Sequence, residues 1–196
     1  GVWLDATVPG TVHTDLLAGG KIGDPYFRTN EKGLQWIDKT DWEYKTSFTV
    51  SGETASNKNL ILRFEGLDTY ATVFLNGVQI LSADNMFRIW EADVRKIIRA
   101  GTNELVVHFK SPITVGLEKL KTLGYSLPAS NDQSENGEVG DKRVSVFTRK
   151  AGYHFGWDWG PRLVTSGIWR PVKLISWNGL RITDMFVEQN ETTISD

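Results

Sequence analysis

The amino-acid sequence predicts an all-β protein, an antiparallel β-sandwich with one short helix and long loops. Two observations lead there. Most readable segments alternate apolar and polar residues with period two, the pattern of strands with one face on a core. Turn-forming residues stand between these segments, and short strands separated by turns pack as sheet on sheet.

From the N-terminus onward, residues 9–39 lack strand periodicity and are expected to wrap the sandwich as irregular chain. The first clear strand is "DWEYKTSFTV", with Trp42, Tyr44, Thr46, Phe48 and Val50 on one face and Glu43, Lys45 and Ser47 on the other. "NLILRFEGL" sets Leu60, Leu62 and Phe64 against Arg63 and Glu65. In "YATVFLNGVQILSA" the pair Asn76-Gly77 separates two apolar runs; both residues tolerate positive φ, so a two-residue hairpin is expected. A further turn is expected at Gly101-Thr102-Asn103, ahead of "ELVVHF", where Leu105, Val107 and Phe109 face inward against Glu104 and His108. Each inward side chain adds roughly 1.5–3 kcal/mol of apolar burial.

"PITVGLEKLKTL" spaces Leu117, Leu120 and Lys121 by three and four, which predicts the one short helix. Then "LPASNDQSENGEVGDKRV" is polar, aperiodic and rich in turn formers, a long loop of the kind that is functional or disordered. In "GIWRPVKLISW" Pro171 cannot donate to a ladder, so the strand begins there or lies at an edge. After "SWNG" a fresh alternation starts in "GLRITDMFVEQNETTISD" and finds no partner strand, so 1–178 is expected to form the sandwich and 179–196 to open a second domain.

Bulk properties exclude several classes. The 196 residues carry a formal net charge of −2, which gives no electrostatic case for nucleic acid or an anionic membrane. No apolar run approaches the ~20 residues a spanning helix needs, and the opening "GVWLDATVPG" lacks a signal-peptide layout. A soluble protein is expected, with its compartment undetermined. There is no cysteine, hence no disulfide, thiolate metal site or cysteine nucleophile. His13, His108 and His154 lie far apart without ligand-like spacing, so neither a metal nor any other cofactor is expected. No serine sits in a G-x-S-x-G elbow, and no phosphate-binding glycine loop occurs. "NETT" at Asn190 fits a glycosylation sequon.

The aromatic content directs attention to "YHFGWDWGPR", where Asp158 stands between Trp157 and Trp159 and glycines flank the trio. Two readings compete. In the structural one, the indoles are core, the turn is tight, and Arg162 pairs with Asp158. In the functional one, the loop binds a sugar, whose C–H faces an indole covers and whose hydroxyls a carboxylate accepts. Arg149, Lys150 and His154 could orient the acid or line its pocket. Asp68 and Glu91 are the other acids marked by context; a strand-end turn for the first and a solvated or helix-starting acid for the second are their expected roles. Glycoside hydrolysis requires a matched carboxyl pair, and none is marked here, so no catalytic residue is assigned in this chain.

"VPGTVHTDLL", "DPYFRTNEKGLQWIDKTDWEYKTSF", "FEGLDTYATVFLNG", "DNMFRIWEADV" and "RKAGYHFGWDWGPRLVTSGIWRPVKL" together resemble the N-terminal sugar-binding domain of family 2 glycoside hydrolases. "LDTYATVFLNG" is shared across that family, whereas "NEKGLQWIDKTDWEY" and "FGWDWGPR" resemble its β-mannosidases. The resemblance runs from about Val8 to Trp177. It implies a jelly-roll-like, galactose-binding-domain-like sandwich within a retaining exo-β-mannosidase. It implies that the catalytic glutamates lie on a barrel domain beyond Asp196, after an immunoglobulin-like domain that residues 179–196 would open. It implies that Trp157 and Asp158 contact the terminal mannose; Arg149 and Arg162, from their place in the same stretch, are the candidate supporting residues. The implied partners are a β-mannoside and those two domains. The alternatives are an autonomous carbohydrate-binding module, like a lectin, or a purely structural domain of another family 2 glycosidase. Only seven residues precede Val8, so the strand such domains carry there is short or missing, and self-association through an unpaired edge is expected.

Overall fold

The computed structural model describes residues 2–189. Among the described residues seven strands form two antiparallel sheets. They are β1 (Trp42–Val50), β2 (Asn59–Phe64), β3 (Tyr70–Leu75), β4 (Val78–Asp84), β5 (Trp90–Asp93), β6 (Gly101–Lys110) and β7 (Val172–Trp177). One sheet has the order β1-β6-β3-β4 and the other β5-β2-β7. The alternation read in the sequence faces the predicted way: Leu60, Leu62 and Phe64 of β2 and Leu105, Val107 and Phe109 of β6 are all buried in the core between the sheets. Along β1 only Val50 is fully buried, and Trp42, Tyr44 and Phe48 pack part-buried at the margin, because β1 is an edge strand with one lateral side open.

The Asn76-Gly77 hairpin forms as expected, with φ of 51° and 81°, the left-handed pair that a two-residue turn between twisted strands requires. The turn expected at Gly101-Thr102-Asn103 differs: these residues already pair with Val50, Thr49 and Phe48 inside β6. The chain reverses earlier, and the buried Asn103 side chain holds that reversal by binding both the N–H and the C=O of Arg99. Pro171 immediately precedes β7, which lies at the edge of its sheet, as its missing N–H demands.

Three α-helical segments are present among the described residues where one was expected. The predicted one is α3 (Pro112–Leu123), capped by the Ser111 hydroxyl and ended by Gly124 at φ 81°. It packs on Val144 at Gly116, where a Cβ would stand 2.6 Å from the Val144 Cβ, and Leu117 and Leu120 join the small core of Ile113, Val144, Phe155 and Val164. The unforeseen helices are α1 (Val12–Ala18) and the single turn α2 (Gly52–Ser56). Residues 9–39 are thus partly ordered into helix: Thr11 and Thr14 cap the start of α1 reciprocally, and Val12 and Leu16 bury one face against Leu34 and Ile37. Two residues three apart and a single apolar pair were too short a signal for period analysis.

The predicted loop 126–141 has no regular helix or strand, but it is tied down: Asp132 accepts from the N–H groups of Val144 and Ser145 at 2.7 and 2.8 Å. Residues 180–189 carry no strand, and Leu180, Ile182, Met185, Phe186 and Val187 are exposed. The Asn190 sequon lies outside the described residues. Among the described residues no helix is long and apolar enough to cross a membrane.

Candidate functional site

The loop bearing Trp157, Asp158 and Trp159 is exposed at Asp158 and Trp159, and each of its flanks is held by a buried cation. On the near side, the Lys150 ammonium is fully enclosed and pairs with Asp68, which is 1% exposed. Thr165 donates to the same carboxylate at 2.7 Å and also receives Lys150 at 2.9 Å, while His154 Nδ1 meets the Thr165 hydroxyl at 3.0 Å. Burial lowers the Lys150 pKa to about 8, and Asp68 opposes that shift. Burial likewise lowers His13 and His154 to about 4, with Lys150 adding to the effect, so both imidazoles are neutral at pH 7. Asp68, expected at a strand-end turn, does sit there, just before β3; its role as the counter-ion of a buried lysine was not visible in sequence.

On the far side the anchor is Arg162, 1% exposed. Its guanidinium binds Asp38 and the side-chain oxygen of Gln35, its backbone N–H donates to Glu31 at 2.7 Å, and its C=O accepts from Gln35 at 2.9 Å. Gly137 runs directly beneath the guanidinium; a Cβ there would lie 2.4 Å from the Arg162 Cζ. Burial pushes the Asp38 carboxyl above the usual carboxylate range, and Arg162 pulls it back. The proposed pairing of Arg162 with Asp158 is therefore corrected: the arginine is turned inward to Asp38, because only there does its charge find a buried partner. The surrounding Lys39–Glu138 pair at 2.8 Å adds little, being exposed to solvent.

Between these anchors the loop bends at Gly156, whose φ of 104° and whose contact with the Gln133 side chain both exclude a Cβ. Gln133 donates to the Trp157 C=O and accepts from Asn136 at 3.0 Å, and the Trp157 N–H closes onto the Gly160 C=O. Trp157 is half-buried, Asp158 is exposed, and Trp159 is 81% exposed. The core-indole reading therefore fails for Trp159.

Two hollows of about 360 Å³ each meet along this loop. One is polar and receives Asp158 together with Arg28, Glu31, Gln133 and Asn136. The other is aromatic and is walled by Tyr26, Tyr153, Trp157 and Trp159 over His13 and His154. Pro25, Tyr26, Arg28, Glu31 and Gln133 were not singled out from sequence as site residues; "DPYFRTNE" entered only as part of the family resemblance, with no role for its individual residues. Of the two proposed supporting residues, Arg162 turns inward as described and Arg149 pairs with Asp84 at 3.1 Å on the surface. Glu91, expected to be a structural acid, lies exposed in β5 against Arg63 at 3.2 Å. Among the described residues no group of three or more His, Cys, Asp or Glu is arranged to hold a metal.

The two-sheet sandwich with its acid-and-indole loop is a galactose-binding-like β-domain. The chain belongs to the family described as glycosyl hydrolase 2 galactose-binding domain-like, which matches residues 1–170. It is 39% identical over 180 residues, 92% of its length, to β-mannosidase B of Thermothelomyces thermophilus. It is 41% identical over 188 residues, 95% of its length, to β-mannosidase B of Aspergillus fumigatus. The crystal structure of the β-D-mannosidase from Dictyoglomus thermophilum superposes with a TM-score of 0.85 at 45% identity over 93% of this chain. These proteins are much longer: the chain spans 20%, 21% and 21% of them respectively.

Two expectations follow. Arg162→Met leaves Asp38 buried without its counter-charge and is expected to cost about 3–5 kcal/mol in chemical denaturation, while Asp158→Ala, at an exposed position, stays within ~0.5 kcal/mol of the parent. The second concerns acid. A histidine whose folded pKa of about 4 lies below its unfolded value near 6.5 contributes stability that is present above pH 6.5 and is lost as pH falls towards 4. The denaturation midpoint is therefore expected to drop between pH 6.5 and 5, and to drop less in His13→Gln; a flat midpoint across that window contradicts the neutral, buried assignment.

Proposed function

We propose that this chain is the N-terminal sugar-binding domain of a retaining exo-β-mannosidase, which removes terminal non-reducing β-D-mannose. In this reading residues 1–178 form the sandwich and 179–196 open a following immunoglobulin-like domain. The two glutamates that cleave the bond lie on a barrel domain outside the chain. Trp157 and Asp158 reach the terminal sugar, the indole covering a C–H face and the carboxylate accepting two hydroxyls.

The observation that carries the reading is the exposure of Asp158 on a loop whose flanks are fixed by buried ion pairs. An exposed carboxylate with no hydrogen bond or ion pair among the described residues, presented on rigid supports, suits orientation of a ligand, where small displacements are costly. The similarity to β-mannosidases from fungi and a bacterium supports the choice of sugar.

The chain alone is expected to release no mannose from an aryl β-mannoside. In the longer polypeptide, Asp158→Ala is expected to lower kcat/KM about 100-fold or more with the thermal midpoint unchanged. Parental kinetics in that variant return Asp158 to a surface role. Saturable, micromolar binding of a simple β-mannoside by the chain alone would instead mark a self-sufficient binding module.

A further inference from the structure

The buried ion pairs hold the flanks of the Trp157–Asp158–Trp159 loop, yet neither touches the peptide group that carries the acid. Asp158 makes no hydrogen bond or ion pair among the described residues, so its backbone sets where its side chain stands. Gln133 grips that backbone. Its side-chain amide donates to the Trp157 C=O, while the Trp157 N–H closes onto the Gly160 C=O at 3.3 Å. The Trp157 C=O and the Asp158 N–H belong to one planar peptide unit. Holding the carbonyl therefore fixes the plane from which the Asp158 side chain departs.

The long polar loop is built to make this contact. The Gln133 side-chain oxygen accepts from Asn136 at 3.0 Å, which turns its NH2 group towards Trp157, where a carbonyl can only accept. The Gln133 backbone N–H donates to the Phe155 C=O at 2.9 Å, so main chain and side chain bracket the bend at Gly156. Gly156 keeps the passage open, since a Cβ there would stand 2.6 Å from the Gln133 Cδ. Behind Gln133 the loop is braced twice: Asp132 accepts from Val144 and Ser145, and Gly137 runs under Arg162. Both polar ends of the Gln133 amide are thus occupied by protein.

We propose that Gln133 is a positioning residue for Asp158, which through the Trp157 C=O holds the acid in the one orientation that serves its ligand. The inference rests on the mannosidase reading for what Asp158 binds. It adds that residues 132–137, remote in sequence from the acid, decide how well the acid works.

The test uses the longer polypeptide and two substitutions that remove the donated hydrogen bond. Gln133→Met does so without adding charge, and Gln133→Glu does so with an ionised carboxylate. Both keep the backbone bond to Phe155, and Gln133 is only part-buried, so the variants are expected to fold. Each is expected to lower kcat/KM for an aryl β-mannoside about tenfold. On an Asp158→Ala background the same changes are expected to cost less than about twofold, because a residue acting through Asp158 has nothing left to act on. Hydrogen exchange at the Trp157 N–H is expected to quicken about tenfold in both variants, with the sandwich strands unchanged.

Parental exchange at Trp157 overturns the proposal whatever the kinetics. So does a loss in Gln133→Glu that Gln133→Met lacks, which traces to charge. A loss that multiplies with that of Asp158→Ala overturns it too, marking Gln133 as acting on its own. If Asp158→Ala alone keeps parental kinetics, the mannose reading fails, while the exchange at Trp157 still decides whether Gln133 holds the loop.

Discussion

The buried ion pair between Arg162 and Asp38 is the constraint on which the candidate site depends. Those two residues lie far apart in sequence, and their contact brings the end of the Trp-Asp-Trp loop against the segment 31–38 and the turn at Gly137. A buried pair of this kind is weak evidence for stability, since removing two charges from water offsets much of their attraction. Its value lies in uniqueness. The enclosed guanidinium finds its counter-charge at Asp38 and a further acceptor in Gln35, and these contacts seat the end of the loop. The Lys150–Asp68 pair does the same at the other flank. Between two such anchors, an exposed loop keeps a fixed shape without needing a core of its own.

The sandwich supplies the frame for both anchors. Asp68 sits immediately before β3 and bonds through its backbone to Gly167, while Asp38 lies just ahead of β1. The approach to β3 therefore fixes Asp68, the 3-10 turn Ile37–Lys39 ahead of β1 fixes Asp38, and the loop's own flanks bring the cations. The same division of labour explains why the indoles are spread as they are. Phe155, just before the Gly156 bend, is fully buried in the small core beneath α3. Trp157 is half-buried, and Trp159 projects to solvent, so the loop passes from core to surface within a few residues.

Much of this was legible in the sequence and some was not, for physical reasons. Period-two alternation placed β1, β2 and β6, and Asn76-Gly77 placed the hairpin, because each depends on neighbours in the chain. The helix α1 escaped notice because it is short and its cap is a Thr–Thr pair rather than an acid-bearing capping box. Residues 101–103 were read as a turn because glycine and asparagine favour one; pairing with β1 outweighed that preference. At the site, the composition of the loop pointed to Trp157 and Asp158, but the partner of Arg162 could not be read locally. The nearest acid in sequence was Asp158, and the partner chosen by the fold was Asp38. Long-range pairing of buried charges leaves no periodic trace, which is also why His13 and His154 looked unrelated.

The measurement that bears most directly on this account is the structure of the longer polypeptide bound to a non-hydrolysable β-mannoside. The account predicts Asp158 carboxylate oxygens at roughly 2.6–3.2 Å from hydroxyls of the terminal mannose, with the Trp157 indole against the ring and Arg162 still on Asp38. A sugar bound in the catalytic pocket while Asp158 faces solvent, or while Asp158 is engaged only by protein groups, would contradict it.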